Sequence, residues 1–182
     1  MSARKTLAIT AAAAALLAGP VLSAHASTAT IPTAQQSAYG TQVRAAGLTD
    51  VQAGQLQQQV DAVLAKDPQA RQVSANKLTT AGGSMVLAVP GRPETRDLAA
   101  PDAALACNNG HLCIVDGRGV NYDYYRCGYY NFDGVGNGTF NNNQTSGTRA
   151  RFYNHDGSER WSNVAKDTGT ANWDPVFHIR PC

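Results

Sequence analysis

The sequence lacks the motifs on which most hydrolytic and phosphate-transferring enzymes depend. It contains no G-x-S-x-G, no H-E-x-x-H and no glycine-rich phosphate loop. The histidines beyond residue 107, which are His111, His155 and His178, lie too far apart in sequence for a local metal-binding motif. Glu159 is the only glutamate of the same region. We therefore expect that the protein is not an enzyme and that it uses no cofactor.

An excess of charge of either sign is also absent. Residues 107–182 contain seven basic and seven acidic side chains. Proteins that bind nucleic acid or an anionic membrane surface normally carry a stripe of basic residues. The balanced composition therefore predicts that neither nucleic acid nor a membrane is a partner.

No apolar run of the chain is long enough to cross a bilayer. The longest run, residues 7–19, is shorter than the roughly 18–20 residues that a spanning helix needs. It follows Arg4 and Lys5 and precedes small residues that end at Ala26, an order typical of a secretory signal. We predict that residues 1–26 are a cleaved signal peptide and that the mature protein is secreted and extracellular. A retained membrane anchor is the alternative.

The chain has four cysteines, Cys107, Cys113, Cys127 and Cys182. An even number of cysteines in a small exported domain indicates disulfide bonds. Three pairings are possible. If Cys107 pairs with Cys113 across the intervening "NNGHL", Cys127 is left for Cys182 at the end of the sequence. No two of the cysteines have the spacing of a zinc knuckle, which argues against a zinc site.

The composition of the chain changes near residue 106. Twelve of the thirteen aromatic residues lie from residue 107 onward, and so do all four cysteines. We therefore predict a helix–hairpin leader or accessory unit at residues 27–91, a linker at 92–106 and a separate domain at 107–182. The linker contains prolines, alanines and arginines, so we expect proteases to cut it and to separate the leader from the domain.

The leader has clear local signals for a helix and a hairpin. Thr49, with Gln52 three residues later, forms a capping box at the start of a helix, and Pro68 ends it. Two short strand-like segments then flank Gly82 and Gly83.

The region 107–182 has the pattern of short β-strands. Three segments alternate between apolar and polar residues, and turns rich in glycine and asparagine separate them. In each segment the alternation places one set of residues on a common face: Val120, Tyr122 and Tyr124 in the first, Ala150 and Phe152 in the second, and Phe177 and Ile179 in the third. Many short strands without a helical stretch predict a small all-β sandwich or barrel.

The aromatic residues of this region have two interpretations. The first is that half of the tyrosines between residues 122 and 130 fill the core and half cover the sheet. The second is that exposed rings form a contact surface for a protein or a sugar, since tyrosine and tryptophan offer large rigid faces. The candidates for such a surface are Tyr124, Tyr125, Trp161 and Trp173.

The sequence from residue 141 to 146, "NNNQTS", resembles a calcium loop of the β/γ-crystallin type. Its potential ligands are Asn142, Asn143, Thr145 and Ser146. Hard cations prefer several oxygen ligands with some negative charge, and this segment has no carboxylate. A turn between two strands is the favoured interpretation, and no metal is expected.

Several segments together resemble a known family. The segments "CNNGHLC", "YYNFDG" and "NNQTSGTRARFYNHDG" are similar to the small secreted peptidase inhibitors of actinobacteria, the Streptomyces metalloproteinase inhibitor type. The resemblance covers about residues 107–182, and it supports a Cys107–Cys113 disulfide. The second half departs from the family because the aromatic-to-glycine spacing from Tyr153 to Gly157 is contracted.

The resemblance implies a β/γ-crystallin-like Greek-key sandwich with two disulfides. It implies a monomer that inhibits an extracellular peptidase, in particular a metallopeptidase. No inhibitory residue can be mapped from the family onto this sequence. The alternative function is a carbohydrate or cell-wall binding module, or a β/γ-crystallin-type antifungal toxin.

Overall fold

The structure, a computed structural model, describes residues 33–182, so the predicted signal peptide lies outside the described residues. Two helices precede eleven strands. The helices are α1 (Thr33–Ala45) and α2 (Asp50–Lys66). The strands are β1 (Arg71–Gln72), β2 (Lys77–Thr79), β3 (Gly83–Val86), β4 (His111–Val115), β5 (Asn121–Tyr124), β6 (Tyr130–Asn131), β7 (Asn137–Asn143), β8 (Arg149–Tyr153), β9 (Glu159–Val164), β10 (Asp167–Asn172) and β11 (His178–Arg180).

Helix α2 begins and ends where the sequence predicts. The Thr49 hydroxyl accepts a hydrogen bond from the Gln52 backbone N–H at 3.2 Å, and the Gln52 side chain accepts one from the Thr49 N–H at 3.0 Å. This capping box satisfies two N–H groups that the first turn leaves unpaired. The helix ends at Lys66, shortly before Pro68. Helix α1 was not predicted, because few of its residues are apolar.

All strand pairs are antiparallel, and the strands form two sheets. The seven-stranded sheet has the order β1-β2-β3-β5-β4-β7-β10, and the four-stranded sheet has the order β6-β11-β8-β9. One row of side chains crosses five strands of the larger sheet on its inner face: Leu78, Met85, Tyr122, Ile114 and Phe140. The all-β prediction for residues 107–182 is confirmed at this level.

The core lies between the sheets and beneath α2. Phe140 of the larger sheet meets Trp161 of the smaller sheet with ring centroids 5.6 Å apart. Phe152 stacks on Trp161 at 3.9 Å and lies 5.7 Å from Trp173. Leu56 of α2 belongs to the same cluster of buried residues. Helix and sheets therefore share one apolar core.

Two disulfide bonds fix the C-terminal region. Cys107 is bonded to Cys113, and Cys127 is bonded to Cys182. The first bond closes the entry to β4. The second joins the loop after β5 to the segment after β11. Of the three pairings that the sequence allows, the structure has the one that the resemblance supports.

The chain is not divided into separate units near residue 106. From residue 33 onward it forms one compact unit. Strand β3 pairs with β5 over four residues, from Gly83 opposite Tyr124 to Val86 opposite Asn121. The hairpin of the expected leader is thus part of the seven-stranded sheet. Pairing between residues about forty positions apart has no local signature, so composition alone suggested a boundary.

The expected linker is also held in place over its first part. Asn76 is fully buried, and its side-chain N–H groups donate to the backbone oxygens of Leu87 and Arg96 at 2.8 Å each. Its side-chain oxygen accepts from the Leu98 N–H at 3.0 Å. Lys77 and Asp97 form an ion pair at 3.3 Å. We call residues 92–98 the strap. Three of its residues, Thr95, Asp97 and Leu98, are half-buried, whereas nearly all of residues 99–106 are exposed.

The predicted alternation of buried and exposed residues is confirmed along β5. Along β8 it ends at Phe152, because the register shifts there and the next residue, Tyr153, is buried as well. Tyr122, Tyr124 and Phe152 face inward and are buried. The prediction for Phe177 is wrong: its side chain is 41% exposed, whereas Val176 is buried. Strand β11 begins only at His178, so the alternation does not extend back to Phe177.

Candidate functional site

The four aromatic residues predicted to form a contact surface occupy different environments. Trp173 is fully buried and Tyr124 is 7% exposed, so neither can stack on an external ligand. Trp161 is half-buried and uses one face to stack on Phe152. Tyr125 is 43% exposed. The prediction therefore fails for Trp173 and Tyr124, because strand alternation and sheet packing direct these rings into the core.

Tyr125 begins an exposed loop that joins β5 to β6. This 125–129 loop has the sequence "YRCGY". Tyr125, Arg126, Cys127 and Tyr129 are all exposed. Sequence reasoning did not single out Arg126 or Tyr129, although an arginine and two tyrosines around a disulfide cysteine are the signal that could have indicated them.

The backbone of the 125–129 loop is fixed at several points. The N–H groups of Tyr125 and Arg126 both donate to the Gly82 carbonyl oxygen at 3.1 Å. The Tyr130 hydroxyl donates to the Cys127 carbonyl oxygen at 2.9 Å. The Cys127–Cys182 disulfide ties the centre of the loop to the segment after β11. The loop is therefore exposed in its side chains but restrained in its main chain.

Gly128 allows the tight packing beneath the loop. A Cβ atom at this position would lie 2.4 Å from the Tyr130 hydroxyl oxygen, well inside van der Waals contact. The Tyr130 ring in turn packs at 6.0 Å from the buried Tyr124 ring. The loop thus rests directly on the core.

A histidine–aspartate pair supports the Tyr125 side of the loop. His111 Nδ1 lies 2.6 Å from Asp123 Oδ1, and the His111 ring centroid lies 5.1 Å from that of Tyr125. The Arg126 guanidinium lies over the Tyr125 ring, 5.6 Å from its centroid. Such a cation–π contact is worth roughly 0.5–1 kcal/mol at an exposed site. The Tyr125 ring therefore contacts two neighbouring groups.

A cleft of about 920 Å³ lies beside the loop, between the end of α2 and strands β3, β5 and β6. Three of its polar groups, Lys66, Asp133 and the Tyr122 hydroxyl, lie close together. Lys66 Nζ lies 3.6 Å from Asp133, and the Tyr122 hydroxyl oxygen lies 3.2 Å from Asp133 Oδ1. Burial raises the pKa of Tyr122, and the nearby Asp133 carboxylate adds to this effect. The phenol therefore stays protonated and acts as a hydrogen-bond donor.

Asp116 is a buried carboxylate that organises the wall of this region. Its side chain accepts hydrogen bonds from the backbone N–H groups of Arg118 and Val120 at 2.9 Å and of Val135 at 3.3 Å. The Arg118 guanidinium pairs with it at 2.7 Å. Although burial opposes the charge of Arg118, the hydrogen bond to Asp116 raises the pKa of the guanidinium above its ordinary value. All of the Asp116 contacts join protein segments, so the residue is structural.

The residues of the calcium alternative do not converge. Asn142 points to the four-stranded sheet, where its side-chain N–H donates to Asn163 Oδ1 at 2.9 Å. Asn143 points to the opposite face, where it donates to the Cys107 carbonyl oxygen at 3.0 Å. Both asparagines belong to β7, and the turn begins only at residue 144. The expected turn is therefore shorter than predicted.

Thr145 and Ser146 are exposed in that turn, beyond the end of β7. Within residues 33–182 there is no group of three His, Cys, Asp or Glu side chains suited to a metal ion. The same part of the chain has no helix that is long and apolar enough to cross a membrane.

Comparison with protein-family models, with curated proteins and with solved structures found no match to this sequence. The function is therefore argued from the geometry of the 125–129 loop and from the resemblance described above.

Proposed function

We propose that the protein is a secreted inhibitor of an extracellular peptidase, and that the 125–129 loop enters the active-site cleft of its target. The observation that carries the proposal is the combination of exposed side chains and a restrained main chain in this loop. Tyr125 and Tyr129 expose 43% and 46% of their surface, while the disulfide and the Gly82 hydrogen bonds fix the backbone.

Restraint before binding matters for the affinity of an inhibitor. A flexible segment loses conformational entropy when it is ordered in a cleft, roughly 0.5–1.5 kcal/mol for each side chain that is immobilised. Tyr125 already contacts His111 and Arg126, so less entropy remains to be lost. Tyrosine and arginine are also the residue types that contribute most energy at protein interfaces.

The finer assignments are part of the same proposal. We propose that the two sheets correspond to a β/γ-crystallin-like Greek key, that the protein acts as a monomer and that the target is a metallopeptidase. These points follow from the resemblance of residues 107–182 to the actinobacterial inhibitors. The alternative of a carbohydrate or cell-wall binding module, or of an antifungal toxin, rested on Trp161 and Trp173 as stacking surfaces and is less well supported, because Trp173 is inside the core.

Inhibition assays with the purified chain test the proposal. We expect stoichiometric inhibition of a thermolysin-like or a subtilisin-like enzyme by the wild-type protein. Arg126→Ala and Tyr125→Ala should each weaken inhibition about tenfold or more, as expected for central interface residues. Arg160→Ala is the matched control, because Arg160 is exposed and lies outside the loop.

A folded wild-type protein that inhibits no member of a panel of secreted peptidases would refute the proposal. Inhibition that is equally strong in both loop variants would place the inhibitory segment elsewhere.

A further inference from the structure

The outer face of the four-stranded sheet concentrates positive charge that the overall composition conceals. Arg149 and Arg151 point outward from β8, and Arg180 points outward from β11 directly opposite Arg151. Arg149 and Arg180 are exposed and Arg151 is half-buried. Like charges placed opposite each other on neighbouring strands destabilise a sheet. We call these three side chains the arginine face.

Few acidic groups compensate for the arginine face. Arg151 pairs with Glu159 at 3.3 Å, and both side chains are partly exposed to solvent. Within residues 33–182, no carboxylate lies within ion-pair distance of Arg149 or Arg180. Arg149 donates to the Ser162 hydroxyl oxygen at 2.9 Å, which does not neutralise its charge. The face therefore keeps a net positive charge, although residues 107–182 as a whole are balanced.

Aromatic rings border the arginine face on one side. The Arg180 guanidinium lies 6.0 Å from the centroid of Tyr129, and the Tyr129 ring stacks on His178 at 5.0 Å. Tyr153 lies beneath Tyr129 at 5.2 Å. Tyr129 is 46% exposed, so one side of its ring is available next to the charges.

From these observations we propose that the arginine face binds a linear anionic polysaccharide. Sheet geometry places the Cα atoms of Arg149 and Arg151 about 7 Å apart, and those of the opposed Arg151 and Arg180 about 5 Å apart. These spacings are comparable to the length of one sugar residue, which suits a polymer with a carboxylate or sulfate on each sugar. Guanidinium groups bind such anions through paired hydrogen bonds. The exposed Tyr129 ring offers a surface on which a sugar ring can pack.

A glycan fits the observations better than a nucleic acid or a protein does. The two disulfides indicate an oxidising compartment, where anionic polymers are mostly glycans. The arginines stand on two paired strands at short, fixed spacings, whereas acidic patches on proteins have irregular charge spacing. The charges of this proposal come from β8 and β11, and only Tyr129 is shared with the 125–129 loop. The proposal therefore does not require the loop to be an inhibitory segment.

Binding of the full chain to polygalacturonate and to heparin, with neutral dextran as the reference, tests the proposal. We expect binding to at least one polyanion at low salt, and weaker binding as salt screens the exposed charges. The double variant Arg149→Gln with Arg180→Gln should lower the affinity about tenfold or more. It should also reduce the salt dependence of binding, because each contact between an arginine and an anionic group releases about one counterion and the variant loses two such contacts. Lys166→Gln is the matched control, since Lys166 is exposed and lies outside the arginine face.

Three outcomes would overturn the proposal. The first is binding to the polyanions that is no stronger than binding to dextran. The second is an equal loss of affinity in Lys166→Gln, which would show that only net charge matters. The third is tighter binding to single-stranded DNA of equal charge density, which would assign the face to nucleic acid. Loss of peptidase inhibition in the arginine variant without any glycan binding would likewise assign the face to an acidic protein surface. Thermal unfolding of each variant verifies that it is folded.

Discussion

The substitution Gly83→Ala tests whether the N-terminal hairpin is an integral part of the sheet. A Cβ atom on residue 83 would lie 1.9 Å from the Asp123 carbonyl oxygen. Backbone carbonyls in a paired strand cannot move aside cheaply, so β3 would have to separate from β5. Steric insertions of this kind cost about 1–3 kcal/mol when the structure adapts, and more when it cannot. We expect a loss of about 3 kcal/mol or more in the free energy of unfolding.

Urea unfolding followed by tryptophan fluorescence measures this loss. Trp173 lies in the core and Trp161 packs against it, both beyond residue 107, so their fluorescence reports on the disulfide-bridged region. The control is Gly54→Ala in α2, where an added Cβ atom meets nothing within 4 Å. A glycine in a helix interior costs roughly 0.5–1 kcal/mol relative to alanine, so this control should be more stable than wild type.

The same glycine-to-alanine change is thus expected to have opposite effects at the two positions. If Gly83→Ala loses less than about 1 kcal/mol, the close contact of β3 with β5 is not needed for stability. If circular dichroism instead shows that Gly83→Ala unfolds the helices while the tryptophan transition is unchanged, the segments before and after residue 106 are independent units, as composition suggested.

Three further predictions follow from the described contacts. Limited proteolysis should cut the chain within residues 99–106. Mass spectrometry after gel filtration should find both fragments together, because β3 stays paired with β5. The variant Asn76→Ala should release the strap and extend the cleavage sites toward residue 92. Burial opposes the charge of Asp97, but hydrogen bonds from Ala99 and Ser74 and the charge of Lys77 outweigh this effect and lower the pKa of Asp97 below the ordinary 3.8. The contribution of Asp97 to stability should therefore be full above about pH 4 and be lost as the pH falls through the lowered pKa. The variant Asp97→Asn should remove this part of the acid dependence. Millimolar calcium should leave the melting temperature unchanged, whereas a rise of several degrees that Asn143→Ala abolishes would contradict the geometry of β7.

Local signals in the sequence predicted local structure well. The capping box at Thr49, the glycines of the hairpin and the alternation along β5 depend on neighbours within a few residues, and all appear in the structure. Helix α1 was missed because it has no apolar stripe. Phe177 was misplaced because strand β11 is one residue shorter than the alternation suggested.

Contacts between distant segments could not be predicted in the same way. The pairing of β3 with β5 and the burial of Trp173 depend on which surfaces meet in three dimensions. The aromatic pattern is the same for a ring in the core and a ring on the surface. For the same reason, the sequence suggested Trp173 as a contact residue and did not indicate Arg126 or the arginine face.

The position of β11 has a consequence for the order of events during biosynthesis. Strand β11 is the last strand in the sequence, yet it lies between β6 and β8 in the four-stranded sheet. Synthesis proceeds from the N-terminus, so β6 and β8 are made before β11. Neither strand can pair with β11 until residues 178–180 have been synthesised. The Cys127–Cys182 bond requires Cys182, which follows β11, and it holds this strand in place once it has formed. A chain that stops a few residues early is therefore left with a split sheet and an unpaired Cys127, so premature termination near residue 178 should be as harmful as the loss of a much larger segment.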